Sequence, residues 1–559
     1  MKNLTASSIT SRPPDGLPRS FGLFFADAVL GAAFFLTCFL VLTNAVPLIQ
    51  WGMIAELKSK MRYARTGQIS VLIFTVLLWA VSRRRALYEK LWWPRFLRGL
   101  EATPVSGMLL GLWVSYAGTF AYAGVLRHLA LETRAFDLGI FTQALWTTLQ
   151  GDPLYSSLKG GICLLGDHFS PILFLVAPFY SLWPDPRMVL ILQAAVMGSS
   201  ILLIGRFTAR RSRDTVIGLV FGLLYFFYRP GRNVLLEDFH PEVLVEPLLF
   251  LISFFLLERK KSAFLLTAAG ILMAKENMPG VVFGLGLYAI LINRWVKTGL
   301  AVILFSMALF AVEISLIIPF FSKAPYFYAA SYHEPWGYFL SRWFSLETWE
   351  YALKLFYPFL FLPILCPAAL VPALPVFFQN ILSENPTMRS FGFHYTIGLS
   401  AFLFTAAFLG FERLAARLKW SHSGKRRAAG VILVAGILAS GPSEYYRVWE
   451  IQGHLSPRRD LIRSRLGAIP PEASVLTHNN FVPQAGNRRQ IQQFSYLAAP
   501  SKAESALLFG ADYVVMAREF WEPQSDPLEK SLSDLLDAGY QIDFEADGFY
   551  VLKKTGLNP

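Results

Sequence analysis

LLEDFHPEVLVE, residues 235–246, sets Glu237, Asp238, His240 and Glu242 within six positions of one another. Before it stand Tyr225, Phe226, Phe227 and Tyr228, and after it comes a run rich in Leu, Ile and Phe. Only 16 % of the 559 residues are charged, whereas 54 % are hydrophobic. Repeated apolar runs of 14 to 27 residues make the chain an α-helical polytopic membrane protein. The question raised by 235–246 is therefore why four titratable groups stand between two stretches suited to lipid.

Other classes are excluded quickly. Cys38, Cys163 and Cys366 lie far apart and share no metal spacing, so they suggest neither a disulfide framework nor a zinc site. There is no P-loop and no G-x-G-x-x-G after a strand. The net charge of +13 is uneven: from Pro442 onward there are 12 Lys/Arg against 15 Asp/Glu, and before it 39 against 23. The excess comes as short clusters between apolar spans, the pattern of cytoplasmic loops, so no nucleic-acid partner is implied.

Those clusters orient the chain. They are Arg83 to Arg98, Arg206 to Arg213, Arg259–Lys261, Arg294 with Lys297, and Arg413 to Arg427. Placing all five in the cytoplasm gives apolar spans near 21–47, 69–82, 105–125, 186–206, 215–228, 243–257, 262–274, 279–293, 299–320, 393–411 and 429–441. The proline-rich stretch 353–382 reads as a hairpin of two short helices. The expectation is about 11–13 transmembrane helices in the cytoplasmic (inner) membrane, with the N-terminus inside and the C-terminus outside. Lys58, Lys60, Arg62 and Arg65 run against this rule. Residues 1–104 form a tail plus an extra hairpin, 105–442 a polytopic core with a large first outer loop at 126–185, and 443–559 a soluble domain. Within the loop, PILFLVAPFYSLW (171–183) is too short to cross and reads as interfacial.

This topology answers the opening question. EDFHPE falls at an outer helix mouth, with Asp137, Asp167–His168, His333–Glu334 and Glu384, while Lys275–Glu276 sits at a hairpin tip. Each motif alone also fits helix capping or loop structure. Together they place carboxylates and imidazoles on one side of the membrane, where ionisable groups tend to line a cavity or pathway. A carboxylate there can act as general base. Several carboxylates with His can hold Mg2+ or Mn2+, with Glu237, Glu242 and Glu276 as candidate ligands. Cations such as Arg134, Arg229, Arg232, Lys275 and Arg389 can offset a departing phosphate, with Asp167, His168, His240 and His394 binding beside it.

FDLGIFTQALW (136–146), GDHFSPILFLVAPFY (166–180), EDFHPE (237–242), KEN (275–277) and FHYT (393–396) resemble a bacterial and archaeal membrane-protein family known as domain of unknown function 2079. The resemblance runs from about residue 105 to the C-terminus. That family in turn is similar to the C-type-fold membrane glycosyltransferases, which use polyprenyl-phosphate sugars. The resemblance implies a glycosyltransferase C-like fold, a catalytic role for Asp137 with Asp167 and His168 at the head of the interfacial segment, and a polyprenyl-phosphate-linked donor at the outer face; Asp238 of EDFHPE is the second candidate catalytic residue. The chain has His-Phe-Ser-Pro and a single Asp137 where those enzymes carry His-Pro-Pro or Asp-x-Asp.

In the C-terminal part, SVLTHN (474–479), ADYVVMA (511–517) and FYVLKK (549–554) read as strands, separated by segments of helical period. A small extracytoplasmic α/β domain is expected there. Besides sugar transfer, two functions stay open: a non-catalytic scaffold or receptor, and a transporter or lipid flippase. The second would call for polar groups at mid-membrane depth and paired repeats. No internal repeat is visible.

Overall fold

A computed structural model describes residues 105–328, 335–440, 450–494, 501–521 and 527–556. The spans expected at 21–47 and 69–82, the Arg83–Arg98 cluster and His333–Glu334 lie outside the described residues. By contact the chain separates into residues 105–418 with 435–559, and residues 1–104 with 419–434. Of the latter, the described part is the start of the helix His422–Ser440. The rest of the description concerns the former.

Helix α1 (Val105–Leu129) leads into α2 (Ile140–Leu149), a two-residue hairpin of β1 (Tyr155–Ser156) and β2 (Ile162–Cys163), and α3 (Leu173–Leu182). At ten residues α3 is about 15 Å long, too short to cross a bilayer. Phe174, Leu175, Phe179 and Leu182 stand exposed along it. Helix α4 (Pro186–Ser212) starts where Asp185 accepts from the Arg187 N–H at 2.8 Å, with Pro186 in the first turn. It lies along α1, where the Trp113 indole donates to the Ala195 carbonyl at 2.8 Å. Helix α5 (Thr215–Phe227) returns against α4. Gly218 makes that approach possible, since a Cβ there would lie 2.6 Å from the Gly205 carbonyl oxygen.

Next come α6 (Arg229–Leu235), α7 (Glu246–Leu257), α8 (Lys261–Ile271) and α9 (Met278–Leu291). Helix α10 (Val296–Val312) continues through a π-helical turn, Glu313–Ile317, to Ser322. Helices α11 (Pro335–Trp343), α12 (Leu346–Phe356), α13 (Leu374–Leu382) and α14 (Ile397–Arg417) follow. Among the described residues, four helices are long and apolar enough to cross a membrane: Val105–Leu129, Pro186–Ser212, Val296–Ser322 and His394–Arg417. The hairpin of two short helices expected over 353–382 takes another form. Between α12 and α13 the chain runs through 3-10 turns at Tyr357–Phe359, Leu362–Leu365 and Pro367–Ala373. Pro358, Pro363, Pro367 and Pro372 remove the N–H donors a continuous α-helix needs.

The C-terminal part holds a five-stranded sheet of β3 (Val475–Thr477), β4 (Ile491–Gln493), β5 (Tyr513–Ala517), β6 (Tyr540–Ala546) and β7 (Phe549–Lys554), in the order β4-β3-β5-β7-β6. Strands β4, β3 and β5 are parallel, with Val475 opposite both Ile491 and Tyr513; β7 pairs antiparallel with β5 and β6. Strands β3, β4 and β5 are buried throughout, as strands covered on both faces must be. One cover is the helices Lys502–Phe509 and Leu528–Asp537, packed on Leu476, Val514 and Leu552. The other is the loop after α1: Leu138, Phe141, Leu145 and Tyr180 share one apolar core with Val475, Val515 and Val551. The sheet therefore packs on the segment that carries Asp137.

His478, just past β3, is buried, and its Nε2 accepts the Ala517 N–H at 2.9 Å. Burial, aided by Lys502, lowers its pKa from 6.5 to about 3. The unfolded chain therefore takes up a proton below pH 6.5 that the folded chain refuses until about pH 3. The contribution of this group is full above 6.5 and is lost as pH falls, by up to ~1.4 kcal/mol per pH unit. Thermal unfolding in detergent at pH 7.5 and pH 5 should show a steeper acid loss for wild type than for His478→Gln. Parallel losses would exclude this origin.

Candidate functional site

The site is assembled where α1, α6, α8 and the start of α14 end close together. Arg134 and Phe136 leave α1 in extended backbone, and Asp137 then takes φ 76 and ψ −93 before α2 begins. Positive φ is rare outside glycine, and this γ-turn-like combination is strained. Two contacts hold the segment. Asn479, beyond β3, accepts the Ala135 N–H with both its carbonyl (2.9 Å) and its Oδ1 (2.7 Å). Asp238 Oδ2 accepts the Arg134 N–H at 2.8 Å. The Asp137 carboxylate is left 44 % exposed, with Oδ1 3.2 Å from His240 Nε2.

His240 is buried, and Pro241 fixes its extended backbone. Its Nδ1–H donates to the Asp238 carbonyl at 3.0 Å, which turns Nε2 toward Asp137. The ring stacks on His394 with centroids 3.6 Å apart. His394 Nδ1 lies 3.6 Å from Glu237 Oε2, and its Nε2 lies 3.9 Å from Glu242 Oε1. Lys275 Nζ donates to that same Glu242 oxygen at 2.7 Å. The next residue, Glu276, accepts from His168 Nδ1 (2.7 Å), the Phe169 N–H (3.1 Å) and the Tyr326 hydroxyl (2.9 Å). Asp167 is held by Lys159 Nζ at 2.9 Å and the Tyr328 hydroxyl at 3.2 Å, and Tyr328 stacks on His168. The Gly166–Asp167–His168 turn lies against the end of the helix that finishes at Ser322. A Cβ on Gly166 would sit 2.5 Å from the Ser322 backbone nitrogen, which is why glycine stands there.

Charge within the cluster is organised by these contacts. Burial opposes ionisation of Asp137, but His240 outweighs it and brings the carboxyl down to about 2. Burial opposes the charged form of His240 as well, yet Asp137, Glu237 and Glu242 raise it to about 9. Glu237 is pushed up to about 7 by burial. Glu276 falls to about 2, because His168 and Lys275 outweigh its burial. At neutral pH the mouth thus holds an ionised Asp137 against a protonated His240.

Of the candidates read from the sequence, Asp137, Glu237, His240, Glu242, Lys275 and His394 lie together, with Asp167, His168 and Glu276 as an adjoining group. Asp238 is occupied elsewhere: besides the Arg134 N–H it faces Arg127 Nη1 at 3.2 Å, with both side chains buried. Arg389 does not join the cluster; it lines a separate cavity with Arg342 and Glu347. Arg232 is buried, with Nη2 donating to the Ser440 carbonyl at 3.1 Å. The grouping with metal-ligand geometry is also different from Glu237, Glu242 and Glu276. Among the described residues it is Glu237, His240 and His394, whose donor atoms lie within 4.8 Å of one another. Glu237 Oε2 and His394 Nδ1 are buried without a hydrogen-bond partner, whereas His240 Nε2 faces Asp137 and would join a ligand set only as the neutral ring. Two nitrogens and an oxygen suit Mn2+ better than Mg2+.

Arg127, Lys159, Tyr326 and Tyr328 are not anticipated by the sequence, and Asn479, legible there only as part of a strand-end turn, holds the Asp137 segment instead. Arg127, at the end of an apolar span, carried the one signal that could have been read, since a cation at membrane depth calls for a buried carboxylate.

The sequence matches the family described as "Predicted membrane protein (DUF2079)" over residues 127–551. No curated protein matches it. Among solved structures the chain is similar to ArnT from Cupriavidus metallidurans bound to undecaprenyl phosphate: 12 % identity, 80 % of this chain and 98 % of that one, TM-score 0.49. The same protein in the apo state gives 12 % identity over the same shares, with TM-score 0.44. The Archaeoglobus fulgidus oligosaccharyltransferase tethered to an acceptor peptide containing the NVT sequon is also similar: 12 % identity, 79 % of this chain, 74 % of that one, TM-score 0.38.

Proposed function

The chain belongs to the DUF2079 family of predicted membrane proteins, and from its site we propose that it is a membrane glycosyltransferase-like enzyme moving a sugar from a polyprenyl-phosphate donor to an acceptor hydroxyl. In this reading the cluster faces the outer side of the cytoplasmic membrane. The observation that carries the reading is Asp137, an ionised, half-exposed carboxylate held in strained backbone at the mouth of a buried charged cluster. Strain of this kind persists where surrounding structure enforces it, and it concentrates at functional sites.

The chemistry balances with the residues present. The acceptor O–H gives its proton to Asp137 while its oxygen bonds to the anomeric carbon. The bond from that carbon to the phosphate oxygen breaks, and the electron pair leaves with the polyprenyl phosphate. In this reading His240, which faces Asp137, offsets the phosphate charge together with Lys275 and His168 of the adjoining ion pairs. Asp238 acts as a positioning residue through Arg134. A divalent cation held by Glu237, His240 and His394 would take the place of the His240 proton, since a ligating imidazole is neutral, and would supply charge stabilisation of the phosphate in its stead.

The test is transfer of radiolabelled sugar from a polyprenyl-phosphate donor by purified protein in proteoliposomes, with Mn2+, with Mg2+ and with chelator. Label should move to an extractable acceptor, fastest with Mn2+. Retention of the donor without transfer under every condition would favour the receptor reading. Absence of both retention and transfer would remove the donor assignment.

A further inference from the structure

Four successive backbone carbonyls close α1, and each accepts from a side chain of the C-terminal part. Gln484 Nε2 donates to the His128 carbonyl at 2.6 Å, and Asn480 Nδ2 to the Leu131 carbonyl at 2.8 Å. Between them, Arg463 Nη1 donates to the Leu129 carbonyl and Arg459 Nη1 to that of Ala130. These two arginines stand one turn apart on the helix Pro457–Ala468 and so share a face. The last turn of a helix leaves its carbonyls without partners of its own, and cations suit its negative pole. All four donors lie at least 329 positions further along the chain. The end of α1 is therefore capped by the tertiary fold.

The same grip continues to Asp137. Asn479 offers both its main-chain carbonyl and its Oδ1 to the Ala135 N–H. A Cβ on Gly139 would lie 3.0 Å from Val482 Cγ1, so the backbone just past Asp137 rests directly on the helical turn Val482–Ala485. Asn479, Asn480 and Val482 follow β3 at its carboxyl end, and β3 runs parallel to both β4 and β5. Open parallel sheets bind their ligands at that edge. In this chain the loop after α1 occupies it at β3.

We propose that the C-terminal part acts as a clamp on the Asp137 turn, and that Asn479 is the positioning residue through which it works. A backbone at φ 76 and ψ −93 persists only where its surroundings enforce it. Asp238 fixes the N–H of Arg134, and Asn479 fixes that of the next residue, Ala135. Any residue at 479 would offer a main-chain carbonyl; the Oδ1 at 2.7 Å is what asparagine adds. The effect on rate rests on the sugar-transfer reading, whereas the clamp itself does not.

Amide hydrogen exchange, read by mass spectrometry on full-length protein in detergent, is set beside sugar-transfer kinetics for wild type, Asn479→Ala and Asn479→Asp. In Asn479→Ala, amides 134–139 should exchange roughly tenfold faster while β5 keeps its protection. Its kcat should fall roughly tenfold with the donor KM within about twofold, as expected when a base is misplaced and binding is not. Asn479→Asp keeps an acceptor oxygen and should return both readouts to within about threefold of wild type. Unchanged exchange over 134–139 in Asn479→Ala would overturn the clamp. Faster exchange with an unaltered kcat, or loss of protection in β5 as well, would overturn the positioning role. Should wild type transfer no sugar, the sugar-transfer reading fails, and exchange over 134–139 alone decides the clamp.

Discussion

Asp137→Asn is expected to lower sugar transfer by ~10²–10⁴-fold, the usual contribution of a positioned general base. Retention of the polyprenyl-phosphate donor should change much less, because Lys275 and His168 remain in place. The substitution is nearly isosteric, and Asn is among the non-glycine residues that most readily take positive φ. The backbone at φ 76 should survive, still held by Asn479 and Asp238. What goes is the negative charge facing His240, and with it the acceptor for the hydroxyl proton. Asp137→Gly separates the two ideas further: it relieves the backbone strain and also removes the carboxylate. If Asn and Gly both transfer within about threefold of wild type, proton abstraction by residue 137 is excluded. If Asn fails while Gly transfers, the carboxylate is not the base, and the loss in Asn comes from its side chain in the strained turn.

Much of this site was legible because ionisable residues are conspicuous in an apolar chain. EDFHPE, the Asp137 turn, the KEN tip and FHYT each interrupt lipid-compatible sequence, and the structure brings their imidazoles and carboxylates within a few ångströms of one another. Their pairing was not legible. Asp238 and His240 look equivalent in the motif, but one faces Arg127 and the other Asp137. That choice depends on a helix end more than a hundred positions away. Arg389 shows the same limit at shorter range: five residues before His394, it is carried into a different cavity by the 3-10 turn Pro386–Arg389. For the fold, long apolar spans could be read directly, whereas IFTQALW could not. Its Ile140, Phe141 and Leu145 suit lipid as well as the face of a sheet, and they meet Val475 and Val515 of the C-terminal part. Periodicity identifies an apolar face without saying what covers it.

The pairing hidden from the sequence predicts the largest effect on stability. Arg127 and Asp238 form an ion pair at 3.2 Å with side chains 7 % and 5 % exposed. Removing one partner leaves the other as an uncompensated buried charge, which costs about 3–5 kcal/mol. Arg127→Met keeps the aliphatic stem and deletes the guanidinium, so it isolates this effect; it also frees the Glu132 carbonyl, which accepts from Arg127 Nη2 at 3.1 Å. Burial already opposes the ionised form of Asp238, with Arg127 as the main influence holding it down, so the single variant should drive that carboxyl to protonate. Asp238→Asn removes the complementary charge while an amide oxygen remains to accept the Arg134 N–H. The double variant should then be less destabilised than the sum of the singles, by about 2 kcal/mol or more in chemical unfolding in detergent. Simple additivity would mean that the two charges are solvated rather than paired. Because Asp238 also holds the backbone three residues before Asp137, the two perturbations should part in activity. Arg127→Met with Asp238→Asn should recover stability more fully than transfer rate, since an amide anchors Arg134 less firmly than a carboxylate.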